Sequence, residues 1–89
     1  MLDIEVHTAF SKDLKKAKLN SSNIAKLFAY ISLLLEEKAL SPLSKDHALL
    51  GEYKDTREFH ISGDLIVIYR ITDLTLQLIR IGSHSQLFK

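Results

Sequence analysis

The stretch TREFHISGDLIVIYRITDLTLQLIRIG, residues 56–82, decides the fold. It reads as three strands, TREFHI, LIVIYRI and TLQLIRI, separated by the turn signals SGD and TDL, which is the pattern of an antiparallel meander. The middle run is almost wholly apolar, so it belongs at the centre of a sheet with one face under helices. Period-two alternation in the last strand puts Leu74, Leu76, Leu78, Arg80 and Gly82 on one face and Thr75, Gln77, Ile79 and Ile81 on the other.

Upstream of the meander, ALSPLSKDHALLGEYKD holds the only proline, Pro42, and reads as a long crossing loop with a short strand around Leu49 and Leu50. Before it, Ile24, Leu27, Phe28, Ile31, Leu34 and Leu35 recur at i, i+3, i+4 and i+7, which predicts the main core helix over 23–39, capped by Ser21 or Ser22. Phe10, Leu14 and Ala17 keep helical spacing among lysines and an aspartate, so a short surface helix follows, with Thr8 as its cap. Leu2, Ile4 and Val6 alternate in LDIEVH as a first strand. The order is β-α-α-β-β-β: an α+β fold with two N-terminal helices packed on one face of an antiparallel sheet, and the other face left for a partner.

The totals narrow the functional classes. A length of 89 residues fits a single domain, 1–89. With no cysteine, neither a disulfide framework nor a thiolate zinc site can support the core. No run is long and apolar enough to span a bilayer, and the N-terminus lacks a basic start followed by an apolar stretch, so a cytoplasmic protein without membrane contact is expected. The charge is balanced: residues 1–44 hold six Lys and Arg against five Asp and Glu, and residues 45–89 hold six against six. Nucleic-acid binding by bulk charge is not indicated.

Histidine is the unusual feature. KDHALLG carries His47, FHISGD carries His60 and Asp64, and GSHSQLF carries His84 and Phe88, all in loops or at strand ends. If the last three strands are neighbours, His60, His84 and Asp64 come within reach of one another, and the loop with His47 closes the group. Imidazoles titrate near neutral pH and suit RNA cleavage. One group must take the proton of a ribose 2′-hydroxyl, and another must protonate the departing 5′-oxygen. Arg80, on the strand leading to His84, is placed to stabilise the charge on the phosphate. Blander roles exist for each: His84 as an exposed polar residue, His60 as a cross-strand partner, Asp64 as a turn residue, Phe88 as a core plug. Three histidines and an aspartate also form a ligand set for zinc, although no compact H-x-x-x-H spacing is present. His7 joins no pattern and reads as structural.

The β-α-α-β-β-β order together with KDHALLG, REFHISGDLIVIY and RIGSHSQLF resembles the YafQ branch of the RelE/ParE toxin superfamily over nearly the whole chain. The resemblance implies the toxin of a type II toxin-antitoxin pair, an endoribonuclease that cleaves messenger RNA in the decoding site of the ribosome without a metal or other cofactor. It further implies His84 as the principal acid/base group, His47, His60 and Asp64 as its companions, and Arg80 as phosphate stabiliser. Phe88, Tyr53 and Lys54 would contact RNA. The implied partner is a small antitoxin with a DNA-binding segment and a segment that wraps the toxin, the pair repressing its own operon, so that operator DNA is met only through the antitoxin. The rival within the superfamily is a ParE-like protein that acts on DNA gyrase by binding, and a further alternative is a catalytically weak co-repressor.

Overall fold

The computed structural model describes residues 1–88. Its elements are β1 (Asp3–Val6), α1 (Thr8–Ala17), α2 (Ser21–Leu35), β2 (His47–Ala48), β3 (Arg57–Ser62), β4 (Leu65–Thr72), β5 (Thr75–Gly82) and the single-turn α3 (His84–Leu87). Short 3₁₀ turns at Pro42–Ser44 and Gly51–Tyr53 flank β2.

Local chemistry accounts for the helix boundaries. Asn20 caps α2, its side-chain oxygen accepting the Asn23 N–H at 2.8 Å, one residue before the serines predicted for this role. The helix stops at Leu35, short of 39, because Glu37 turns left-handed at φ 58°. The Glu37 and Lys38 N–H groups then bond back to the carbonyls of Leu34 and Leu33, the paired bonds of a Schellman motif. At α1, His7 occupies the cap position and Thr8 is the first helical residue.

The five strands form one sheet in the order β1-β5-β4-β3-β2. The meander is antiparallel as predicted, but β1 pairs with β5 in parallel, Ile4 opposite Leu76 and Val6 opposite Leu78. Alternation identifies β1 as a strand without naming its neighbour or direction. A parallel pair needs a long crossover, which the helices and the meander between β1 and β5 supply. The short strand of the crossing loop falls at His47–Ala48, slightly before its predicted place at Leu49 and Leu50.

The helices cover one face. Phe10, Leu27 and Leu34 pack on Phe59, Ile61, Val67, Tyr69, Leu76, Leu78 and Ile81. Ile81 reaches this core through a β-bulge: Ile68 lies opposite Arg80 while Tyr69 lies opposite Leu78, so Ile79 is the extra residue. The bulge breaks the strict alternation predicted for β5. Ile81 joins Leu76 and Leu78 inside, and Arg80 turns to the opposite face.

That opposite face is not left bare for a partner. Ile66 and Ile68 lie on it, fully buried, beneath Leu87 of α3 and the side chains of Leu49, Tyr53 and Ile79. Two central isoleucines present too much apolar surface to stay wet, at roughly 1.5–3 kcal/mol each. The crossing loop and the tail therefore fold over them, and in doing so carry His47 and His84 to the same place.

Candidate active site

Strand alternation builds the floor of the site. Glu58 and His60 point away from the helices, between Phe59 and Ile61 that point toward them. β2 pairs with β3 so that His47 lies directly opposite Glu58. The 3₁₀ turn at Gly51–Tyr53 follows, and the Thr56 hydroxyl donates to the Tyr53 carbonyl to fix it.

The tail is built by its own sequence. Ser83 and Gln86 form a capping box around α3: the Ser83 hydroxyl accepts from the Gln86 N–H at 3.2 Å, and the Gln86 side chain accepts from the Ser83 N–H at 2.9 Å. Leu87 is the plug into the core, and Phe88 stays 39% exposed. Gly82 allows the close approach, since a Cβ there would sit 2.9 Å from the Gln86 side-chain oxygen and 3.4 Å from Leu87.

Three imidazoles converge on one carboxylate oxygen. Glu58 Oε2 lies 3.1 Å from His60 Nε2, 3.3 Å from His84 Nε2 and 3.5 Å from His47 Nε2. Asp64, in the turn between β3 and β4, accepts from His84 Nδ1 at 2.8 Å and from the His84 backbone N–H at 3.3 Å. His84 thus has a carboxylate on each ring nitrogen, and only the doubly protonated imidazolium can donate to both. The Asp64 bond raises the His84 pKa above the ordinary histidine value, partial burial opposes the rise, and Glu58 adds to it. Reciprocally, the His84 side chain, helped by its backbone N–H, holds Asp64 below the usual carboxylate range.

His47 is held in a definite orientation. Its Nδ1 lies 2.6 Å from the Lys45 carbonyl, which can only accept, so a hydrogen is on Nδ1 and Nε2 is the nitrogen turned to Glu58. Asp46 beside it accepts from the Tyr69 hydroxyl at 2.7 Å and from Arg57 Nε at 3.1 Å, which anchors the loop to β3 and β4. Tyr69 is buried and its pKa is pushed up, first by burial and then by the Asp46 carboxylate, so its hydroxyl is kept as a donor.

An aromatic chain leads from the cluster to Arg80. The His84 and Phe88 rings stack at 5.7 Å, Phe88 meets Tyr53 edge-on at 5.2 Å, and the Tyr53 hydroxyl lies 3.5 Å from Arg80 Nη1. Arg80 is itself gripped by Asp13 of α1, Nε to Oδ2 at 2.6 Å and Nη2 to Oδ1 at 3.0 Å.

Of the residues singled out from sequence, His47, His60, Asp64 and His84 form one contact group, and Tyr53, Phe88 and Arg80 extend it. Lys54 is exposed beside Tyr53. His7 lies outside, at the N-cap position of α1 and 3.3 Å from the Glu5 carboxylate. Sequence reasoning passed over Glu58, although it shares a strand face with His60 and period-two reading of REFH would have found it. It also passed over Asp13, which no local pattern links to a residue 67 positions away. Glu58, His60 and His84 each offer a ligand atom within 4.8 Å of the others and could hold a divalent cation.

A small α+β scaffold thus gathers histidines, carboxylates and an arginine at one end of its sheet. The chain belongs to the YafQ family, the bacterial toxins of type II toxin-antitoxin systems, whose family model matches residues 2–89. It is 38% identical over 87 residues to the mRNA interferase toxin YafQ of Escherichia coli K12, covering 97% of this chain and 95% of that protein. The crystal structure of YafQ from E. coli BL21(DE3) superposes with a TM-score of 0.88 at 36% identity, covering 100% of both chains. A metal-bound toxin from Helicobacter pylori gives 0.87 at 42% identity over 99% of this chain and 100% of that one. YafQ in the E. coli DinJ-YafQ complex gives 0.86 at 37% identity, again over 100% of both chains.

Proposed function

We propose that this chain is a single-domain endoribonuclease toxin that cleaves messenger RNA by metal-independent proton transfer, with His84 as the general acid. The observation that carries this reading is the bonding of both His84 ring nitrogens to carboxylates, which stores a proton on an imidazole at the edge of an open site. The ribose 2′-hydroxyl gives its proton to a base drawn from His47 and His60, and its oxygen attacks the adjacent phosphorus. The bond from phosphorus to the 5′-oxygen breaks, His84 supplies that oxygen with a proton, and a 2′,3′-cyclic phosphate is left. His47 is suited to the base role because the Lys45 carbonyl engages Nδ1 and leaves Nε2 to take a proton beside Glu58, which holds the imidazoles at fixed spacing and balances their charge. Arg80 Nη1 stabilises the charge on the phosphoryl oxygens. Phe88 and Tyr53 offer ring faces for a base to stack on, and Lys54 a charge for the backbone.

The mRNA interferase names of the E. coli relatives support this substrate, and the DinJ-YafQ complex supports a cognate antitoxin as partner. In this reading the ribosome presents the messenger, because a formal charge of +1 gives the protein little hold on free RNA. The antitoxin covers the histidine cluster, carries the pair to operator DNA, and the toxin works in the cytoplasm.

His84→Gln is the test. Cleavage of a ribosome-programmed messenger, by toxin stripped with EDTA and freed of chelator before ribosomes are added, should fall by about 100-fold or more in the variant while the melting temperature holds. Full cleavage by the variant, or a wild-type toxin left inactive by the stripping and restored only by added metal ion, would overturn the assignment. Arrest with DNA damage and intact transcripts would favour the gyrase-binding reading.

A further inference from the structure

We infer that Asp13 is a positioning residue for the cleavage reaction, setting the orientation of the Arg80 guanidinium before RNA arrives. The inference rests on the nuclease reading above, with Arg80 as phosphate stabiliser.

The geometry separates Asp13 from an ordinary surface ion pair. β1 covers the edge of β5 only from Thr75 to Leu78, so beyond that point the β5 edge faces α1. Asp13 closes it there. Its Oδ2 accepts the Ile81 N–H at 3.1 Å and Arg80 Nε at 2.6 Å, while Oδ1 accepts Arg80 Nη2 at 3.0 Å. The carboxylate is thus tied to both backbone and side chain at the β-bulge, and its side chain is only 14% exposed. Burial raises the Asp13 pKa, but the Arg80 bond, the Ile81 N–H and the nearby positive charges outweigh it, so the group stays ionised.

A two-point grip fixes the plane of a guanidinium. With Nε and Nη2 engaged by Asp13, the Nη1 edge is the one presented to the Tyr53 hydroxyl and through Tyr53 to Phe88 and His84. Without Asp13, Arg80 keeps its charge but gains rotamers, and each must be frozen out when the phosphate is engaged. The loss therefore appears in the rate of the chemical step and not in RNA capture, because the charge available to the polyanion rises by one.

The experiment is a double-mutant cycle on ribosome-programmed messenger under single-turnover conditions, using Asp13→Asn, Arg80→Ala, the pair together, and Asp13→Glu. Asparagine keeps an acceptor for the Ile81 N–H, and melting curves give the folded fraction to which each rate is normalised. The expected result is a saturating rate about tenfold or more below wild type in Asp13→Asn. The half-saturating toxin concentration should stay within about twofold. The double variant should be no slower than Arg80→Ala, and Asp13→Glu should recover part of the rate. A wild-type saturating rate in Asp13→Asn, with Arg80→Ala slow, would make Asp13 only an edge clasp and overturn the inference. A wild-type rate in Arg80→Ala would remove the role of Arg80, and the inference with it.

Discussion

His84 illustrates how one side chain acquires a role from two neighbours. Glu58 holds its Nε2, Asp64 holds its Nδ1, and the raised pKa follows from that pairing. Because the folded value lies above the ordinary one, His84 contributes stability that is fully present below pH about 6.5 and is lost as pH rises through the folded value. Asp64, with its value depressed, contributes in the opposite sense: its share is present above pH about 4 and is lost as pH falls through the lowered value. Asp64→Asn should therefore move the alkaline limb of the cleavage profile to lower pH, measured as single-turnover rate against pH. An unmoved limb would mean that Asp64 does not set the proton on His84. At Gly82, the 2.9 Å contact awaiting a Cβ predicts that Gly82→Ala displaces the Gln86 side chain and opens the capping box that sets α3. The activity should fall well beyond the loss of stability, checked by comparing rates with melting temperatures.

Among the elements, the meander was legible from sequence because strand alternation and turn residues are local signals. The bulge at Ile79 was not, since nothing in TLQLIRIG marks where the period slips. Yet that slip decides that Ile81 goes inside and Arg80 goes to the site. The β4–β5 turn carries a related surprise: Asp73 and Leu74 both have positive φ, 50° and 60°, the geometry of a type I′ turn that favours glycine at its second position. Leu74 is 73% exposed, so its side chain gains little there. Leu74→Gly should stabilise the protein by about 1 kcal/mol, read by urea denaturation. Destabilisation would show that Leu74 packs more than its exposure indicates.

For the molecule as a whole, the sheet has two unequal covers. Helices seal one face and leave it to packing, while the crossing loop and the tail seal the other around Ile66 and Ile68. The histidine group could be anticipated from sequence because its members sit on or just beyond strands that a meander must bring together. Asp13 and the parallel β1–β5 pair could not, since they join residues 67 and about 72 positions apart and depend on tertiary closure. The balance of charge has a further consequence. Protonating the three histidines that the His84→Gln variant keeps takes its formal charge from +1 to +4, counting one unit each. RNA should accordingly bind more tightly, and with a steeper dependence on salt, as pH is lowered from about 7.5 to about 5.5. Filter binding of the His84→Gln variant to a short RNA across that range checks it, and a flat response would place the histidines out of contact with phosphate.

The central claim is that the cluster around Glu58 cleaves messenger RNA with His84 as the proton donor. The most direct test is primer extension on transcripts recovered after brief induction of the wild type and of His84→Gln, with translation followed in parallel. The account predicts cuts within translated codons for the wild type and none for the variant, whose fold and antitoxin binding persist. Identical cuts from both proteins, or translation arrest by both without cuts, would contradict it.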